Sequence, residues 1–330
     1  MGMIKFFWLA PVVGGILAAL GIVDSAQAQA YPTRPITMVV AYAPGGPSDV
    51  AARAIIDRMS SVLGQPIIIE NVAGAGGMTA AARVARATPD GHTILIHQNG
   101  LAIGSLIYPQ QSFDLQRDLV PIGMVNTSYS FLALSKSVPA NTLDELIAWT
   151  KKSGRPVKFA HPGVGTLAHL QAILFTKSFD VKADLVPYRG GAPAMNDVVA
   201  GHVDMVWAAP TTAAELIKAD KINSVGFGAN KRYAPLPEIP SFGELGHGEL
   251  AISFWHALFA PAGTPQPIIQ QLNAALRQTL DDPQVMKAYE ERGLEAFPPD
   301  QRSPEAAAAV LRAEIERWGK VVRENNIQVQ

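Results

Sequence analysis

The chain has 330 residues, 27 Lys and Arg against 28 Asp and Glu for a net charge of −1, and no cysteine. Disulfides, thiolate chemistry and Cys-based metal sites are excluded, and stability must come from core packing. A near-neutral balance without basic clusters argues against nucleic acid or an anionic membrane surface as partner.

Lys5, an apolar run from Phe6 to Val23 and the small-x-small stretch Ala26-Gln27-Ala28-Gln29-Ala30 read as a secretory signal peptide over 1–30, cleaved after Ala28 or Ala30. The alternative is an uncleaved membrane anchor. Removing Lys5 and Asp24 with the leader leaves the net charge unchanged, and the mature chain is expected to be soluble.

Pro35 to Val40 is a short β-branched run of strand length, and Ala41 to Asp49 turns it into a helix. Ala51, Ile55, Met59, Val62 and Leu63 form the apolar face of that helix, Arg53, Asp57, Arg58 and Ser61 the polar one, and Gly64 its end. In the turn, Tyr42-Ala43-Pro44-Gly45-Gly46-Pro47-Ser48, the paired glycines fold the backbone tightly beside the free N–H groups of the first helical turn. That arrangement suits an anion; its rival is a plain tight turn.

The alternation repeats: a strand over 66–71 with Gly74-Ala75-Gly76-Gly77 and an Ala-rich helix to Ala87, a turn at Pro89-Asp90-Gly91, then a strand His92–His97. That strand ends at Gln98-Asn99-Gly100, expected to open into a loop. Pro121–Val125 and Phe131–Leu134, with polar residues between, suit one long strand crossing between domains. Thr142-Leu143-Asp144-Glu145 fits a capping box, with a helix to about Lys152. A second series follows: strand 157–160 with a helix from about Thr166, strand 184–188 with a helix from about Ala192, strand 203–207 with a helix from about Thr212, and strand 222–227. After a Pro- and Gly-rich loop over 231–248, Ile252–Ala260 is a strand that crosses back. Helices over 265–280, 283–292 and 304–325 close the chain, and Ile315, Trp318 and Val322 give the last an apolar stripe that should dock on the first domain. Two crossings predict an α/β chain of two βαβ domains joined by a two-segment hinge, with a ligand cleft at the strand C-termini. The expected lobes are 31–127 with 256–330, and 128–255.

Tyr31–Ile36, Ala43–Asp49, Leu63–Pro66, Glu70-Asn71 with Gly74–Gly77, Pro89–Thr93, Tyr188–Ala194, Gly201–Asp204 and Ala260–Pro265, in this order and spacing, resemble the Bug-type periplasmic solute-binding proteins of tripartite tricarboxylate transporters. The resemblance covers nearly all of the mature chain. It implies a two-lobed Venus-flytrap fold holding a small mono- or dicarboxylate through backbone amides and waters, delivery to integral membrane transporter subunits, a periplasmic location and no cofactor; the protein is expected to be a monomer. Many relatives carry an acid after the strand that begins at Val203. Here Trp207 takes the aromatic place and Ala208 the acidic one, which makes an amino-acid ligand less favoured than a plain carboxylate.

The site residues expected on these grounds are Tyr42, Ala43, Pro44, Gly45, Gly46, Ser48, Asn99, Gly163, Gly165, Thr166, His169, Tyr188, Gly190, Gly191, Ala192 and Trp207. Gly163, Gly165 and Ala168 match a dinucleotide fingerprint, but Tyr188 is followed by Arg189 and two glycines with no acid for a ribose, so a second amide nest is the better account. Thr166 either contacts the ligand or caps its helix. His169 either contacts ligand or packs on the next strand, and Arg189 is favoured as a rim residue over a ligand clamp. Asp49 is read as structural, with holding of the Gly45-Gly46 loop as its alternative, and Asp204 as structural. Tyr42, Trp207 and Trp255 are as readily core as ligand platform. No G-x-S-x-G or H-E-x-x-H occurs, so a secreted hydrolase is the weaker reading. A ligand sensor touching a membrane signalling partner is the alternative to a transport receptor.

Overall fold

The computed structural model describes residues 1–3, 31–108, 110–324 and 327; the leader over 4–30 and the expected helix end at Asn325 lie outside the described residues. The first part of the body is β1 (Ile36–Val40), α1 (Pro47–Leu63), β2 (Ile67–Asn71), α2 (Met78–Ala85), β3 (Thr93–Gln98), α3 (Gly100–Ile107), α4 (Leu115–Asp118) and β4 (Leu119–Ser128). Then come β5 (Phe131–Ser135), α5 (Leu143–Lys152), β6 (Val157–His161), α6 (Leu167–Ser178), β7 (Ala183–Pro187), α7 (Gly191–Ala200), β8 (Met205–Ala208), α8 (Pro210–Lys218) and β9 (Ile222–Phe227). The chain closes with β10 (Phe254–Pro261), α9 (Gln266–Leu280), α10 (Pro283–Glu291), β11 (Glu295–Ala296) and α11 (Pro304–Glu324).

These strands make two sheets, ordered β11-β4-β10-β3-β1-β2 and β7-β6-β8-β5-β9. The βαβ units give parallel pairs, β1 with β2 and β3, and β6 with β7 and β8. Besides the two-residue β11, antiparallel to β4, the exceptions are β10, antiparallel to β3 and β4, and β5, antiparallel to β8 and β9. Each of these last two is the first strand after a crossing. Where parallel strands end at a cleft, a chain entering the opposite sheet from that cleft must run away from it. The single crossing strand expected over 121–134 is two strands, broken at Tyr129-Ser130, because each half pairs into its own sheet. Ser128 pairs with Phe254, and Thr127 with Trp255, in the first sheet. No loop follows Asn99; α3 begins at Gly100.

Thr142 caps α5 by accepting from the Glu145 amide, as its spacing predicts, while the Glu145 carboxylate reaches the Asn141 amide. On α11, Trp318 and Val322 are buried, and the helix packs on β4 and α3. The same two side chains share an apolar cluster with Ile103 from α3 and with Leu167 and Leu170 from α6, so the elements of the two sheets meet in a common core. Among the described residues no helix is long and apolar enough to cross a membrane.

Candidate functional site

The loop between β1 and α1 is held from behind by Asp49. Its Oδ2 accepts from the Gly45 amide at 3.0 Å and from Arg53 Nε at 2.9 Å, and its Oδ1 accepts from Asn71 Nδ2 at 3.1 Å. Burial, the largest influence on this carboxyl, raises its pKa, but hydrogen bonds from Arg53, the Gly45 amide and Asn71 outweigh it and hold the pKa below the usual carboxylate value. Of the two alternatives for Asp49, the geometry shows the loop-holding one. The paired glycines divide the turn: Gly45 has φ +77°, which favours glycine, while Gly46 at φ −82° is in a conformation any residue adopts. The tight-turn requirement therefore falls on Gly45 alone.

Ser48 is anchored too. Its Oγ lies 3.0 Å from His256 Nε2, and His256 Nδ1 lies 3.2 Å from Asn126 Oδ1. The trio has the outline of a hydrolase relay without its chemistry. Burial, and then neighbouring His97, push the His256 pKa down to about 3, so the ring is a poor proton acceptor, and the uncharged Asn126 does not stabilise an imidazolium.

Opposite this wall stand the starts of α6 and α7. A methyl placed on Gly46 would lie 3.7 Å from the Gly191 nitrogen and 3.9 Å from that of Ala192, so the first turns of α1 and α7 face each other. Their N–H groups and dipole ends both favour an anion. Ala43 donates its amide to the Arg189 carbonyl at 3.2 Å, which joins the two walls; the Arg189 side chain is exposed. Gly190 packs on the Ala43 backbone, and a Cβ there would lie 3.2 Å from the Ala43 nitrogen. At α6, Thr166 accepts from the His169 amide and donates to the Gly163 carbonyl, so its hydroxyl is committed to the cap. His169 stacks on His161 with ring centres 4.4 Å apart. Burial lowers His161 to about 4, and burial followed by the His161 neighbour lowers His169 to about 3.

The walls enclose a cavity of about 40 Å³. Tyr42, Ser48, Gly191 and Trp207 line it, and no charged side chain does. Pro44 and Gly45 are solvent-exposed and outside it. Gly163 and Tyr188 line a neighbouring groove with Gly74–Gly77, where the Tyr188 hydroxyl bonds to Asp197 at 2.5 Å. Gly165 packs against Ile107 and Tyr108. Asn99 is buried and donates to the Ser253 carbonyl at 3.3 Å and to Glu314 at 3.4 Å, a contact that ties α3 to α11. Asp204 receives two bonds from Arg155 at 2.7 Å.

Gln98, Ser130, Gln171 and Thr212 also line the cavity and were not among the expected residues. Gln171 is the most informative: it is 1% exposed, and neither its Nε2 nor its Oε1 has a partner. An amide that shares with His169 the helix stretch Leu167–Ile173, apolar at its other positions, was its only sequence signal. The indole Nε1 of buried Trp207 is likewise unpartnered.

Two α/β sheets meeting over a shared cavity, with helix starts beside it, define a two-lobed ligand-binding protein. A family model, "Tripartite tricarboxylate transporter family receptor", matches residues 51–327. BugT of Bordetella pertussis is 32% identical over 324 residues, 98% of this chain and 98% of that one. The periplasmic binding protein BugD superposes with a TM-score of 0.87 at 31% identity, covering 91% of this chain and 100% of BugD. MatC of Rhodopseudomonas palustris with bound malate has a TM-score of 0.84 at 33% identity, covering 88% and 100%. An R. palustris protein with adipate has a TM-score of 0.84 at 30% identity, covering 90% and 99%. The chain belongs to the tripartite tricarboxylate transporter receptor family and is a solute-binding protein.

Proposed function

We propose that the protein captures a small carboxylate between its lobes and delivers it, outside the cytoplasmic membrane, to the membrane subunits of a tripartite transporter. The observation that carries this reading is the facing pair of helix starts, α1 and α7, beside a cavity that holds unpartnered donors on Gln171 and Trp207. Donors that find no acceptor in the protein call for one from a ligand. The malate and adipate found in similar proteins fit the same class. Amides of the first lobe around Gly46 and Ser48 take the carboxylate, the Gly163–Ala168 and Gly190–Ala192 loops close on its other end, and the segments near Tyr129-Ser130 and Ala251–Ser253 bend. The protein acts without catalysis, since the relay behind Ser48 is a support.

A thermal-shift panel of C4 to C9 mono- and dicarboxylates, aromatic acids, amino acids and matched amides tests the class. At about 100 times its dissociation constant the right acid adds about 2.7 kcal/mol and raises Tm by a few degrees. Hits confined to sugars, amines or neutral amides overturn the reading. Intact-mass measurement of exported protein, expected to begin after Ala28 or Ala30, tests the location.

A further inference from the structure

The two walls of the cavity offer different chemistry. On the first, Ser48 is within hydrogen-bond distance of His256, and the Tyr42 hydroxyl donates to the Gly76 carbonyl at 2.8 Å. On the second, Gln171 and Trp207, both almost fully buried, hold three polar atoms without protein partners: amide Nε2, amide Oε1 and indole Nε1. They line the space that Ala208 leaves open, and no lysine, arginine, aspartate or glutamate lines it with them.

We propose that Gln171 and Trp207 are the selecting end of the site, and that the ligand is a monocarboxylate whose far end carries an uncharged group able both to donate and to accept, a hydroxyl or a carboxamide. This rests on the carboxylate reading above. A second ionised carboxylate satisfies Nε2 and Nε1 but sets its charge against Oε1, and no cation lines the cavity to compensate it. An ammonium satisfies Oε1 and meets the two donors head on. A methyl end leaves all three atoms unpaired. A hydroxyl or carboxamide accepts from the indole and the amide N–H and donates to the amide oxygen, so each buried group finds a partner. The site then differs from those of the relatives that hold malate and adipate.

Calorimetric titration of the full mature protein with butanoate, succinate, 4-hydroxybutanoate, succinamate and 4-aminobutanoate, and with their five-carbon counterparts, tests this. At the better-fitting length, the hydroxy acid or the acid amide should bind about tenfold or more tighter than the diacid, the amino acid and the unsubstituted acid. Trp207→Phe, which removes the indole N–H and keeps a smaller aromatic ring, and Gln171→Leu, which nearly keeps the volume, should each reduce that preference about threefold to tenfold. Each should bind the unsubstituted acid at least as tightly as the parent does, because its methyl end then faces fewer unpaired polar atoms. Should Gln171→Leu fail to fold, the titration of Trp207→Phe decides. A diacid that binds as tightly as the neutral-ended acids, or a preference that both variants retain, overturns the assignment while leaving carboxylate capture standing. Binding by none of these acids, with hits only among non-acids in the wider panel, removes both.

Discussion

The two walls of the cavity are built from the same unit, a strand, a glycine-bearing turn and a helix start, yet their side chains are used in opposite ways. On the first wall, Asp49 bonds to Gly45, Arg53 and Asn71, and Ser48 lies within hydrogen-bond distance of His256, so side chains hold the loop in place. On the second, Gln171 and Trp207 line the cavity and hold atoms without protein partners. A support gains rigidity from the bonds it makes, whereas a selecting group needs polar atoms that no protein partner occupies. The first wall is therefore expected to govern whether any acid binds, and the second to govern which one.

Acid should produce the largest effect, because it strikes imidazoles in both walls. His161 and His169, held at about 4 and about 3 chiefly by burial, stay neutral in the folded protein while the unfolded chain binds protons below 6.5. The stability they contribute is whole above pH 6.5 and falls as pH drops toward 4, by about 1.4 kcal/mol per pH unit for each ring. Denaturant melts from pH 7 to 4 should show the decline, and His161→Gln should flatten it by about one ring's share. A stability that is level across this window contradicts the neutral pair.

Asp49→Ala comes next. It leaves the Gly45 amide without an acceptor and takes from Asn71 Nδ2 one of its two acceptors, the Tyr42 carbonyl remaining, and about 1–3 kcal/mol of stability should go with them. Arg53 is exposed and adds little to the loss. If the first wall governs binding as a whole, affinity for every acid should fall together, by about tenfold or more, with the order among them preserved. A changed order would move selection onto the first wall and break the contrast.

The two neighbouring glycines separate scaffold from contact. Gly45→Val must adopt φ +77° and should cost about 1–3 kcal/mol. Gly46→Val keeps ordinary backbone geometry and instead places its side chain toward the Gly191 amide. Its Tm should stay within about 2 °C of the parent while affinity falls about tenfold or more. Equal melting losses in the two variants would show that Gly46, too, is only part of the turn.

How far the sequence revealed this contrast depends on the range of the physics involved. Strand length, proline at helix starts and the Thr142 cap are set by a few adjacent residues, and the two α/β series could be read from them. The loops were legible because a glycine turn before a helix is local chemistry. The direction of β5 and β10 was not, since it follows from where each strand enters its sheet. Gln171 escaped notice because its value lies in having no partner, a property set by Trp207 and Ala208, which lie far from it in the chain and line the same cavity. Asn99 drew notice as a strand-end residue and proved to join α3 to α11.

The smallest effect belongs to Thr166, and it tests the border between the two uses of a side chain on the second wall. Its hydroxyl accepts from the His169 amide at 3.3 Å and donates to the Gly163 carbonyl at 2.7 Å, so it has no proton left for a ligand. Thr166→Ala removes one cap and should lower stability by about 1 kcal/mol. Thr166→Ser keeps the hydroxyl and should recover most of it. Because the ligand donors of this wall are then the first amides of α6 together with Gln171 and Trp207, affinity at a temperature where both variants are folded should change less than about threefold. Melting curves and titrations on the two variants decide it. A Thr166→Ala protein that melts like the parent but loses its acid would make Thr166 a direct ligand contact and extend the selecting group from the middle of α6 to its first turn.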